Sequence, residues 1–158
     1  MTNYFIGIDP GHQGAIAVIN GEFNTVSIED CPLLNGQVDT MSLVEILRSY
    51  AIKAEVNIWA GIEKAQAMPK QGVVAMFNYG VGYGKYLAAL AAFGISFVEI
   101  RPTEWKKEFG LIKADKERSI VVAKQLFPQV SHLLLRKKNH GRAEALLIAE
   151  YNRRVLAR

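Results

Sequence analysis

The sequence predicts an α/β fold, a five-stranded mixed sheet with helices on both faces. Three observations predict it. The first third of the chain reads as short apolar runs split by turn residues, a meander. From residue 39 onward helices and strands alternate, which adds parallel strands to that meander. Half of the residues are hydrophobic, enough for a sizeable core in one domain spanning 1–158.

The elements follow in order. "NYFIGID" is an apolar run ending at Asp9, and "PGHQ" is a tight connection to a second run, "GAIAVIN". "GEF" turns into a third strand, "TVSIED". In "DTMSLVEILRSYAIKA", Met41, Val44, Leu47 and Ile52 stand near helical spacing, with Thr40 or Ser42 as the cap. "NIWAGIEKA" is a buried strand ending at Glu63, and "QAMPKQG" is a loop. A helix runs from Val73 to Phe93, with Gly80, Gly84, Ala88 and Ala92 as a small-residue stripe that packs on the sheet or on a second copy. "ISFVEI" is the fifth strand, stopped at Arg101-Pro102. "PTEWKKEFG" is a short helix stopped by Gly110. "KADKERSIVVAKQLFP" is an amphipathic helix ended by Pro128, and a closing helix runs from about His140 to Leu156.

Composition narrows the function classes. The one cysteine, Cys31, cannot form an intramolecular disulfide, which suits a reducing compartment. The N-terminus lacks a secretion core, and no apolar run reaches the roughly 18 residues needed to span a bilayer. The expected location is the cytoplasm of a bacterial or phage-infected cell, or an organelle after removal of a transit peptide. The net charge of +4 permits nucleic-acid binding, and the positive residues gather in the second half of the chain.

Two strand ends carry acids. Asp9 before Pro-Gly suits a turn cap when taken alone. Glu63 follows apolar "IWAGI", where a carboxylate needs a partner or a cation. If the two strands are neighbours, the carboxylates converge, and oxygen ligands of this kind suit magnesium or manganese. His140 and Glu144 are four apart and share a helix face. Taken singly, Asn139 is an N-cap, His140 an exposed residue and Glu144 a favourable first-turn charge. Together with Asp9 and Glu63 they form a candidate divalent-metal site.

"IGIDPGHQGAIAVI", Glu63 after a strand, "LIKADKERSI" and "HGRAEALLIAEY" occur in the order found in RuvC-type Holliday-junction resolvases. The likeness covers nearly the whole chain and is strongest to the phage and organelle branch, where "MPKQG" is also at home. The resemblance implies a ribonuclease H-like fold, a homodimer, branched DNA as substrate, and Mg2+-dependent nicking of a four-way junction that leaves 5′-phosphate ends. Mn2+ is expected to support activity as well. Asp9, Glu63 and Glu144 match the acidic ligands, with Asp9 bridging two ions, and His140 or Asn139 falls where a further ligand is expected. Asn139 is neutral and cannot act as a base. Two alternatives stay open: an endonuclease working with His140 and Glu144, and a form silenced at Asn139 that binds junctions without cutting them.

Lys113 and Lys116 match the family's basic helix start and are expected on phosphates. Arg136, Lys137, Lys138 and Arg142 would draw DNA to the closing helix. Lys70 and Gln71 lie on the loop after Glu63, and Phe77 and Tyr79 are candidates for stacking on unpaired bases. Core packing is an equal reading for Phe77.

Other readings fare worse. "GVGYGK" fails as a Walker loop, because Tyr79 stands where the first Gly belongs and Tyr86 follows the Lys. The first motif also resembles the phosphate loop of actin-like ATPases. Those proteins need two such domains to enclose a nucleotide, and they would show ATP-dependent thermal stabilisation.

Overall fold

The computed structural model describes residues 1–156. Strands β1 (Thr2–Asp9), β2 (Ala15–Asn20) and β3 (Val26–Asp30) form the antiparallel meander. A small hairpin follows, β4 (Leu33–Leu34) and β5 (Gln37–Val38), and then α1 (Thr40–Ala51). β6 (Val56–Glu63) lies parallel to β1; α2 (Val73–Ala92) leads to β7 (Ser96–Ile100), parallel to β6. Helices α3 (Pro102–Glu108), α4 (Lys116–Leu126) and α5 (His140–Tyr151) complete the fold, with 3-10 turns at Pro128–Leu133 and Lys137–Asn139 and a π-helical turn at Asn152–Leu156. The five-stranded sheet has the order β3-β2-β1-β6-β7.

The sheet has helices on both faces, as expected. Side chains alternate along β1, so Ile6 and Ile8 face one way while Phe5, Gly7 and Asp9 face the other. Ile6 and Ile8 join Ile16, Val18 and Ile62 in a core with Leu43 and Leu47 of α1 and Tyr86 and Leu90 of α2. Phe5 joins Ala15, Ala17 and Ile100 in a second core with Trp105, Ile120 and the apolar run of α5. α5 is buried from Ala145 through Glu150, so it is a central helix with little solvent face. Gly7 lets it come this close: a Cβ there would overlap the Ala145 carbonyl and the Ala149 amide.

Several local expectations change. The cap of α1 is Asp39, whose carboxylate accepts from the Met41 amide at 3.2 Å and from the Ser42 hydroxyl. Leu43 takes the buried place expected of Met41, which is 68% exposed. The β4–β5 hairpin adds an element to the expected order, and Asn35-Gly36 is its signal: both residues have positive φ, 52° and 75°. The stripe of Gly80, Gly84, Ala88 and Ala92 does not pack on the sheet. It faces solvent, while Gly82, Tyr86, Ala89 and Leu90 face the core.

Candidate active site

The sheet's centre brings the first two acids together. β1 and β6 are hydrogen-bonded neighbours in parallel, with Ile8 opposite Ile62. Asp9 and Glu63 therefore end adjacent strands side by side, at the carboxyl edge where open α/β sheets form their crevices. α5 crosses the same face and supplies the third acid, Glu144, and His140 one turn before it. Gly141 allows this approach: a Cβ there would overlap the Gln13 carbonyl of the β1–β2 turn. The result is a cleft of about 530 Å³ lined by Asp9, Glu63, His140 and Glu144, with Lys106, Lys116, Trp105 and Gln13 around them.

All three carboxyls are raised above the usual carboxylate range. Burial, and then the Glu144 charge, push Asp9 up to about 7, against a 3.1 Å hydrogen bond from the Gly11 amide and the nearby Lys106 ammonium. Burial and the Asp9 charge raise Glu63, while the Trp105 indole N–H, 2.7 Å from its Oε2, and Lys106 oppose the rise. Burial raises Glu144 too, aided by Glu63 and opposed by Lys106 and Lys116.

His140 Nε2 lies 3.2 Å from Gln13 Oε1, while its Nδ1 is buried without a protein partner. Burial, and then Lys116, hold the imidazole below its usual value, which favours the neutral ring a metal ligand needs.

Three hard oxygen donors and a neutral imidazole are a donor set for Mg2+ or Mn2+, whose positive charge would relieve the crowding of buried carboxylates. The side chains are not gathered on one point, however. Asp9 turns to Glu144 and Glu63 turns to Trp105, and among the described residues no three His, Cys, Asp or Glu side chains already form an ion-sized cluster.

Comparison with known proteins adds a second line. No family model matches the chain. Over 97 residues, 61% of this chain, it is 34% identical to "Holliday junction resolvase MOC1, chloroplastic" of Chlamydomonas reinhardtii, and that stretch is 11% of the larger protein. Two solved structures of Thermus thermophilus RuvC share the fold. One, in complex with a Holliday junction substrate, has a TM-score of 0.61 at 15% identity, and the match covers 97% of this chain and 96% of that one. The other has a TM-score of 0.57 at 19% identity, with the same coverage of both chains. The chain has the RuvC-like fold. Its sheet order and flanking helices are those expected of the ribonuclease H-like architecture.

Four of the five expected catalytic residues line the cleft. Asn139 does not. Its Oδ1 accepts from the Arg136 amide at 2.9 Å, closing the 3-10 turn before α5, so it serves neither the cleft nor the helix cap it was expected to make. Arg142 is also reassigned. It forms a two-pronged pair with Asp30, 2.6 and 2.7 Å, and donates to the Leu133 carbonyl at 3.0 Å. Its guanidinium ties α5 to the end of β3 instead of standing free for phosphate.

The remaining expected contacts surround the cleft. Lys116 lines it, and Lys113 lies just before it with φ of 60°. Arg136, Lys137 and Lys138 are exposed, with Lys137 paired to Glu117 at 2.7 Å. Lys70, at φ 67°, and Gln71 are exposed on the loop before α2. Phe77 is 70% exposed, which removes the core-packing reading. Tyr79 is half-buried and lines an adjoining apolar recess with Gln71, Met76 and His12; burial and then the charges of Asp9 and Glu63 push its hydroxyl up to about 12.

Sequence reasoning missed Lys106, Trp105 and Gln13 in the cleft. "EWKK" carried a signal for two of them, an aromatic and cations at the start of a helix that follows the strand next to Glu63. Among the described residues no helix is long and apolar enough to cross a membrane.

Proposed function

We propose that the chain is a divalent-metal-dependent endonuclease that nicks branched DNA, with the four-way junction as its substrate. One observation carries the reading: Asp9, Glu63 and Glu144 reach one cleft from three separate elements, ringed by Lys106 and Lys116. Mg2+ would be held by Asp9, Glu63, Glu144 and His140, and Mn2+ by the same donors. When bound, such cations supply an activated water and stabilise the leaving 3′ oxygen, giving 5′-phosphate ends.

The chain's own residues do the rest. Lys106 balances the carboxylate charges. Lys116, Lys113, Arg136, Lys138 and Lys70 hold phosphates and position the strand without reading bases. Phe77 and Tyr79 supply stacking surfaces beside the cleft. Gln13 turns the His140 ring.

A homodimer suits a junction with two equivalent strands. The outer face of α2 supports it. Val73 and Val74 are 84% and 74% exposed, and a Cβ at Gly80 or Gly84 would meet nothing within 4 Å. An apolar, small-residue face of this kind accepts a second helix at close range.

A second reading is a junction-binding protein without cleavage. The carboxylates turned to Glu144 and Trp105 instead of a common point favour it. Cleavage of a mobile four-way junction, against a linear duplex of equal length, in Mg2+ and then Mn2+ separates the two. Paired symmetrical nicks, lost in Glu144→Gln, support the nuclease. Junction binding with no nicks in either metal establishes the binding protein. Loss of both, with ATP raising the melting temperature, would return the actin-like reading.

A further inference from the structure

Glu63 takes a side-chain hydrogen bond from the neutral indole of Trp105. Trp105 is fully buried in the core beneath α4 and α5, and its indole N–H donates to Glu63 Oε2 at 2.7 Å. A buried indole N–H needs an acceptor, and a backbone carbonyl would serve. Here it takes a carboxylate oxygen at the mouth of the cleft. The next residue, Lys106, lies with its ammonium 5.3 Å from the Trp105 ring centroid. One turn of α3 thus delivers both a fixed donor and a cation to the same acid.

We propose that Trp105 is the positioning residue of Glu63: its N–H binds Oε2 and leaves Oε1 for the cleft, beside Asp9 and Glu144. The proposal rests on the cation-holding reading above. A carboxylate with one oxygen committed in this way is already fixed in rotamer, so it loses less freedom when its other oxygen takes an ion. Besides the packing of its ring, the indole contributes one thing that a phenyl ring lacks, the N–H.

Two measurements test it, both on protein without DNA. The chain has two tryptophans, and Trp59, which lines a different cavity, can be removed as Trp59→Phe to leave one indole signal. In that background the Trp105 indole N–H resonance is read with Glu63 intact and as Glu63→Ala. This needs no change at the buried position. The expected result is a downfield resonance that moves upfield in Glu63→Ala; an unmoved resonance overturns the proposal.

The second measurement is Mn2+ affinity by calorimetry for the parent, Trp105→Phe, Glu63→Ala and the double variant. Trp105→Phe is expected to weaken Mn2+ roughly 10- to 100-fold. In the Glu63→Ala background the same substitution is expected to add nothing. Independent, multiplying losses would show that Trp105 acts on the fold and not through Glu63, and would overturn the proposal. Absence of Mn2+ binding by the parent sinks the cation reading before any Trp105 variant is made, and the proposal with it, so the two failures are distinguishable.

Discussion

Asp9, at the end of β1, and Glu144, in the second turn of α5, line the same cleft, and burial together with the Glu144 charge holds a proton on Asp9. A buried acid that keeps its proton ties the stability of the protein to pH. Asp9 is raised from 3.8 to about 7, so the folded state holds a proton that the unfolded chain has released. Stability contributed at this site is full below about pH 4 and is lost as pH rises through about 7. In EDTA, Asp9→Asn is expected to melt higher than the parent at pH 8, with the gap closing toward pH 4. The gap is of the order of a few kcal/mol at most, since each tenfold change in proton affinity is worth about 1.4 kcal/mol. Mg2+ at pH 8 should raise the melting temperature of the parent and not of Asp9→Asn. A gap that does not change with pH would contradict the proton held on Asp9.

Lys116 and Arg142 are expected to behave differently, although both are cations near α5. Lys116→Ala should weaken junction binding and lower the salt slope by about one, as loss of a phosphate contact does. Arg142→Gln should leave the slope unchanged and cost about 1 kcal/mol of stability, a modest figure because Asp30 is largely exposed. Salt-dependent binding isotherms and chemical melts read the two effects separately. An equal fall in salt slope for both variants would restore Arg142 to the DNA surface.

Asn139→Asp is expected to leave cleavage unchanged. The Asn139 side chain is occupied by the Arg136 amide, and a carboxylate oxygen accepts that bond equally well. Junction nicking by parent and variant under matched Mg2+ is the comparison. A large gain in rate would show that residue 139 reaches the cleft during the reaction.

Gly84→Glu tests the α2 face. A Cβ at Gly84 meets nothing in the single chain, so the fold should tolerate the substitution. Placed against a second copy, the charge would be buried. Light scattering should report a dimer for the parent and a monomer for the variant; a monomeric parent would remove the dimer from the proposed function.

Strand and helix order was legible because hydrophobic periodicity and turn residues are local. Asp9 and Glu63 were legible as acids at strand ends, and Glu144 as an acid on a helix face. What could not be read was side-chain commitment. Arg142 looked like any other cation in a basic stretch until β3 placed Asp30 opposite it. Asn139 looked like a helix cap or a ligand until the preceding turn claimed its amide oxygen. The Gly80–Ala92 stripe showed close approach but not to what, because spacing along a helix does not name the neighbour.

By itself, the sequence determined the α/β class, the three acids and the element order apart from the β4–β5 hairpin, since backbone propensity and burial pattern act over a few residues. Only the tertiary structure decided which polar groups meet. The parallel pairing of β1 with β6 set Asp9 beside Glu63, and α5, drawn close over Gly7 and Gly141, added Glu144. Trp105 and Lys106 then closed the cleft from α3, about forty residues beyond Glu63. Hydrogen bonds and charges act over a few ångströms of space, and chain separation places no limit on which residues share them.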